Sequence, residues 1–198
     1  MNKKTIRKIL GGFKSYVPGG LAMHVSGGTD SARYCYTMWL RHLSILYKNG
    51  FTKIPDTIAE LGPGDSIGTG LAGLLSGSKK FYALDVVKHT NIKNNISVFD
   101  ELVTLFAKRS AMPDDNEFPR VLPLLASYNF PSEIFTNNNL EKLLDKSRIQ
   151  CLRNELVDME KQKNSIQYMC PWYDPKIIEN DSVDVVFSQA VLEHVEDL

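Results

Sequence analysis

Two acids and a glycine bend are the residues best placed to do chemistry. Glu60 lies near the end of a short apolar run, Ile58-Ala59, and is followed by Leu61-Gly62-Pro63-Gly64. Asp85 ends a second apolar run, Phe81-Tyr82-Ala83-Leu84. Glycine permits positive φ and, lacking a side chain, lets backbone approach a ligand closely. An acid at the end of a second strand can accept hydrogen bonds from both hydroxyls of a ribose. An acid beside the bend repels a pyrophosphate, but suits a ligand carrying an ammonium or a cationic sulfur.

These residues need a scaffold, and the pattern supplies one. Thr57–Leu61 predicts a first strand, Ile67–Leu75 a helix ended by Ser76-Gly77, and Lys80–Leu84 a second strand. Together they make one βαβ unit with parallel strands and a right-handed crossover. Ser165–Met169 and Asp181–Ser188 predict a third and a fourth strand, the last with the near-continuous apolar run of a strand buried on both faces. Gln189–Asp197 starts another helix. Upstream, Thr29 or Asp30 can cap a helix whose apolar positions Ala32, Cys35, Trp39, Leu43 and Leu46 recur at helical spacing, with Asn49-Gly50 as its stop. That helix either packs on the sheet, or its leading end (Gly27–Ser31, Tyr34, Trp39) closes over a ligand.

Between Asp85 and the third strand lie about 80 residues. Ser97 is placed to cap a helix, with Asp100 three residues on and Val98, Phe99, Leu102, Leu105 and Phe106 on one face. Leu140 to about Met159 reads as one further helix. The expected organisation is an N-terminal arm and helix over 1–50, then a Rossmann-like domain over 51–198. A helical insertion at about 96–163 is either a lid or an elaboration of the crossover. The fold class is α/β: a doubly wound, mostly parallel sheet with helices on both sides, incomplete at its C-terminus. Such a sheet is expected to leave an open edge beside Asp184–Ser188 and to make the 198-residue chain marginally stable, as a fragment of a longer protein would be.

Composition narrows the function classes. Hydrophobic residues are 43% of the chain, enough for a core and too many for disorder. Formal net charge is zero, so nothing global points to nucleic acid or an anionic membrane. No apolar stretch approaches the ~18 residues of a spanning helix, and Ile9-Leu10 runs straight into Gly11-Gly12 rather than an apolar leader. The three cysteines, Cys35, Cys151 and Cys170, form neither a disulfide framework nor a zinc spacing. The cytoplasm is the expected location.

The glycine spacing separates cofactors. Gly62-x-Gly64 with Gly68 places the third glycine one residue too far for the dinucleotide fingerprint. Gly64-xxx-Gly68-x-Gly70 does match short-chain dehydrogenases, yet no tyrosine here has a lysine four residues later. Glu60-Leu-Gly-Pro-Gly64, Asp85 and the segment from Asp184 to Leu198, with its acid-led apolar strand running into Leu192-Glu193-His194-Val195, together resemble class I S-adenosylmethionine-dependent methyltransferases. The resemblance covers about residues 55–90 and 165–198.

It implies that Glu60, Gly62 and Gly64 surround the methionine part of S-adenosyl-L-methionine. Asp85 holds the ribose, with Val86 beside the adenine. Met169 or Cys170 lines the adenine, although Cys170-Pro171-Trp172-Tyr173-Asp174 stands where many members place an acid for the adenine amino group. Ser188 and Gln189 face the reacting centre. His194 is a candidate general base or a structural helix-face histidine. A metal is not expected, because Ala190 stands where some relatives carry the first carboxylate of a Glu-xx-Glu-His set. The expected partner is a small-molecule or sugar-like acceptor, with neither nucleic acid nor membrane insertion. The alternatives are a cofactor-binding protein without catalysis and a dehydrogenase. The sequence does not specify the acceptor or the oligomeric state.

Overall fold

A computed structural model describes residues 28–159 and 164–191 of the chain. The elements run α1 (Ala32–Lys48), β1 (Thr57–Leu61), α2 (Gly68–Ser76), β2 (Lys80–Leu84), α3 (Ile92–Ala107), α4 (Asn137–Leu143), α5 (Lys146–Val157), β3 (Ile166–Met169), a 3-10 turn (Pro175–Ile177) and β4 (Val185–Ser188). The strands form one sheet in the order β3-β2-β1-β4, and every pairing is parallel. This is an α/β, Rossmann-like fold with a small sheet. The strand order reverses between β1 and β4, which makes their C-terminal ends the topological switch point, where open α/β sheets bind ligands.

Local chemistry explains the elements. The Ser31 hydroxyl caps α1 by accepting from the Tyr34 N–H at 3.3 Å, and the Asn49 amide closes its end by donating to the Ile45 carbonyl at 2.8 Å. The cap is thus Ser31, one or two residues beyond Thr29 and Asp30, because Thr29 is engaged elsewhere. Helix α3 begins at Asn91, not Ser97: Asn91 Oδ1 accepts from the Asn94 N–H at 2.9 Å. The helical stretch expected over 140–159 is two helices. Asp145 starts the second by accepting from the N–H groups of Ser147 at 2.9 Å and Arg148 at 3.3 Å.

Helix α2 is buried along its whole length, which requires it to lie very close to the sheet. A Cβ on Gly70 would stand 1.9 Å from the Phe81 ring, and one on Gly73 2.3 Å from Ile58 Cδ1. These glycines serve helix-to-sheet packing, so the dehydrogenase-like spacing that includes Gly70 has a packing origin.

One core joins α1 to α5 with Ile58, Phe81, Ala83, Ile166, Tyr168 and Phe187 of the sheet. The opposite sheet face has its own small core of Ala59, Tyr82 and Leu84 under the 170–184 segment, through Trp172, Ile178 and Val183. Among the described residues no helix contributes to that second core, whereas helices on both sides were expected. Residues 192–198, which hold most of the helix read over Gln189–Asp197, lie outside the described set. The 96–159 segment is not a lid over the strand ends. Its Met112, Val121, Ile134, Phe135, Leu140 and Leu156 are all buried in the main core. Trp39 does not reach a ligand either, since it is fully buried and its indole N–H donates to Ser76 Oγ at 2.7 Å.

Candidate functional site

The two acids come together as the sequence predicts, at the C-terminal ends of adjacent strands. The register pairs Glu60 with Ala83, so Glu60, Ala83 and Asp85 share one face of the sheet. Gly62 and Gly64 follow β1 with φ of +66° and +74°. That left-handed backbone is where glycine is needed, and it turns the chain sharply off the strand. Ser188 ends β4 opposite Leu61.

Each of these three polar residues holds an oxygen in reserve. Glu60 is 2% exposed, and its Oε2 has no hydrogen-bond partner among the described residues. The same is true of Asp85 Oδ2 and of Ser188 Oγ, both shielded from solvent. Asp85 Oδ1, in contrast, accepts from the Val86 N–H at 2.8 Å, which fixes the carboxylate. Buried polar atoms are nearly always paired, and the two orphans on one face at neighbouring strand ends, Glu60 and Asp85, mark a place built to receive polar groups; Ser188, level with Leu61, belongs to the other face.

Burial pushes the Glu60 carboxyl up to about 8, and the nearby Asp85 adds to the rise; the Thr69 hydroxyl and Gly70 N–H pull the other way. Glu60 is therefore largely protonated at neutral pH, and a cationic partner would favour its charged form. Thr69 was not among the residues singled out from the sequence. Its signal is its place in the first turn of α2, directly above an acid-ending strand.

A latch ties α1 to the bend. The Ser66 N–H donates to Thr29 Oγ1 at 3.2 Å, and the Ser66 hydroxyl donates to the Thr29 carbonyl. Cys35 Sγ also donates to that carbonyl, at 3.4 Å. The 28–31 turn thus meets the glycine bend, while Tyr34 is buried edge-on against Phe118.

The remaining site residues separate. Val86 is half exposed beside Asp85, open to a ligand. Met169 packs against the second core, on the sheet face away from Asp85, whereas Cys170 packs against the main core. Of that pair only Cys170 shares a face with Asp85. Gln189 is partly buried and precedes Ala190, whose φ of +56° puts a non-glycine residue in the left-handed region at the strand tip. Such a conformation costs of order 1–3 kcal/mol and gathers at functional sites. Val191 then crosses the bend: a Cβ on Gly62 would meet its side chain at 2.5 Å, so Gly64 is the more open part of the turn. His194 lies outside the described residues. Among those described, no group of His, Cys, Asp or Glu is assembled to hold a metal ion.

A polar cavity of about 520 Å³ opens beside the bend, lined among others by Asp30, Asp65, His89 and Asn94. A larger one, about 820 Å³, lies far from the strand ends between the C-terminal half of α1 and residues 124–133. None of the orphaned buried atoms borders it. No helix among the described residues is long and apolar enough to cross a membrane. No protein-family model, curated protein or solved structure matches this chain.

Proposed function

We propose that the strand ends bind S-adenosyl-L-methionine and that the protein transfers its methyl group to a small polar acceptor. The observation that carries the reading is the pair of buried oxygens on Glu60 and Asp85, on one sheet face and without partners among the described residues, beside a bend of positive-φ glycines. The donor set fits the chemistry of that molecule. Its ammonium group gives Glu60 the cation that would hold the carboxylate charged, its ribose hydroxyls can donate to Asp85, and half-exposed Val86 offers an apolar surface to its base.

The bound molecule supplies an activated methyl group on a cationic sulfur. The chain's own task is positioning. Displacement at the methyl carbon is in line, and holding two reactants in alignment can lower the barrier by several kcal/mol. Asp85 fixes the sugar end, while Glu60 and the bend fix the amino-acid end. Between them, Ser188 and Gln189 border the space where an acceptor arrives. The polar cavity beside the bend, with its mix of acids and amides, suits a small hydroxylated acceptor. A cytoplasmic location belongs to the same reading.

Calorimetric titration with S-adenosylhomocysteine tests it, on this chain and on Asp85→Ala. The parent chain is expected to bind, and the variant to lose about 1–3 kcal/mol of affinity. Equal affinity of both proteins removes Asp85 from the site. No binding to the parent, or binding of a nicotinamide dinucleotide in its place, overturns the reading.

A further inference from the structure

We infer that Tyr168 is a ligand-positioning residue, whose phenol donates to the same sugar hydroxyl from which Asp85 accepts. This rests on the nucleoside reading above, and extends it to a residue that neither the sequence pattern nor the resemblance singled out.

The register brings the two groups together. Tyr168 of β3 pairs with Ala83 of β2, and Asp85 stands two residues beyond Ala83 on the same face. Diagonal neighbours of this kind lie ~7–8 Å apart at Cα, within reach of a long aromatic side chain. Tyr168 is 6% exposed, so its hydroxyl is sealed from bulk water. Neither that hydroxyl nor Asp85 Oδ2 has a hydrogen-bond partner among the described residues.

A buried phenol ordinarily finds a partner, because leaving it unpaired forfeits its hydration without return. Here the two orphans have complementary needs. Burial, reinforced by Asp85 and Cys170 and only partly opposed by the His89 N–H, keeps the phenol protonated, so its proton is free to be donated; the Asp85 oxygen is an acceptor. A single hydroxyl placed between them satisfies both, by accepting from the phenol and donating to the carboxylate. Ribose presents such a hydroxyl. A cavity of about 220 Å³ also borders the ring, lined by Tyr168 with Lys88, Thr90 and Met159 among others. That is below the ~300 Å³ at which ligand pockets begin. It has room for water and not for a nucleoside.

Water in that cavity is the rival partner for the phenol, and the test separates the two. Tyr168→Phe and the parent chain are titrated with S-adenosylhomocysteine and with its 2′-deoxy and 3′-deoxy analogues. With the full ligand, the variant is expected to bind about five- to tenfold more weakly. With one of the two deoxy analogues, parent and variant are expected to bind equally, because the shared hydroxyl is gone. Without ligand, the variant is expected to melt at or above the parent temperature, having lost an unpaired buried hydroxyl. A merely structural tyrosine would lower the melting temperature and weaken all three ligands alike. Equal affinity of parent and variant for the full ligand, or one uniform penalty across the three ligands, overturns the inference and leaves the nucleoside reading standing. Failure of the parent to bind any of them overturns both.

Discussion

Two buried ionisable residues, Arg41 and Glu60, sit in opposite circumstances. Arg41 is fully buried in α1 with every side of its guanidinium engaged. It donates to Thr37 Oγ1 at 3.1 Å and to the carbonyls of Val121, Pro123 and Pro113 at 2.8, 3.1 and 3.3 Å. It also pairs with Asp115 at 3.3 Å and lies 4.8 Å from the centre of the Tyr128 ring. This network holds the irregular 112–128 segment to the helical layer. Glu60 is almost as deeply buried, yet one of its oxygens has no hydrogen-bond partner among the described residues, and burial pushes its carboxyl up to about 8. A charge buried for architecture is surrounded by partners within the fold. On the function proposed above, Glu60 is an acid buried for binding, with part of its capacity left to an outside partner. The difference between α1 and the strand ends is one of completion, and it can be measured.

Replacing Arg41 by Met should have the largest effect. It leaves the Val121 and Pro123 carbonyls and Asp115 without their partner and should cost about 3–5 kcal/mol, read as a shift in the urea midpoint. An unchanged midpoint would mean that the complete network is ornamental, and the contrast with Glu60 would collapse. The next effect is a pH slope. Glu60 keeps its proton in the folded chain up to about 8, whereas an unfolded chain releases it near 4.5. Between those values the folded state binds more protons, so stability falls as pH rises, by at most about 1.4 kcal/mol per unit from this group. Glu60→Gln should flatten that part of the profile in urea melts at pH 5.5, 6.5 and 7.5. An identical profile in the variant would show that Glu60 is not the group titrating. The smallest effect belongs to Ser188→Ala. Removing a hydroxyl that makes no bond should change stability by less than about 0.5 kcal/mol, upward if at all. A loss above 1 kcal/mol would reveal a partner for Ser188 and take it out of the incomplete set.

The first two strands and the two acids were legible because their signals are local, whereas the fourth strand, expected over Asp181–Ser188 and buried on both faces, is only Val185–Ser188 with Val186 exposed among the described residues. β1 and β2 are short apolar runs bounded by Asp56, Gly62, Gly77 and Asp85, and their limits coincide with the expected ones. Helix starts were less legible, because caps compete. Ser97 with Asp100 has the better capping pattern, but the buried Asn95 accepts from the Ile67 N–H at 3.1 Å and from the Thr90 hydroxyl at 2.8 Å. Those contacts with β2–α3 and α2 residues draw the preceding turn into the helix, and Asn91 becomes its cap. The side of the sheet that a residue faces was also beyond reach without the register, which is why Met169 and Cys170 could not be told apart. Tyr168 escaped notice for a related reason. As an aromatic in an apolar strand it reads as core, and only the missing partner of its hydroxyl marks it as something more.

The bonds from Ser66 to Thr29 fasten the front of α1 to the turn after β1. Asp30, the next residue, lines the polar cavity beside that turn, so it is held there and not at a remote corner. A reporter dye on residue 30 is therefore expected to sense any molecule that enters the cavity.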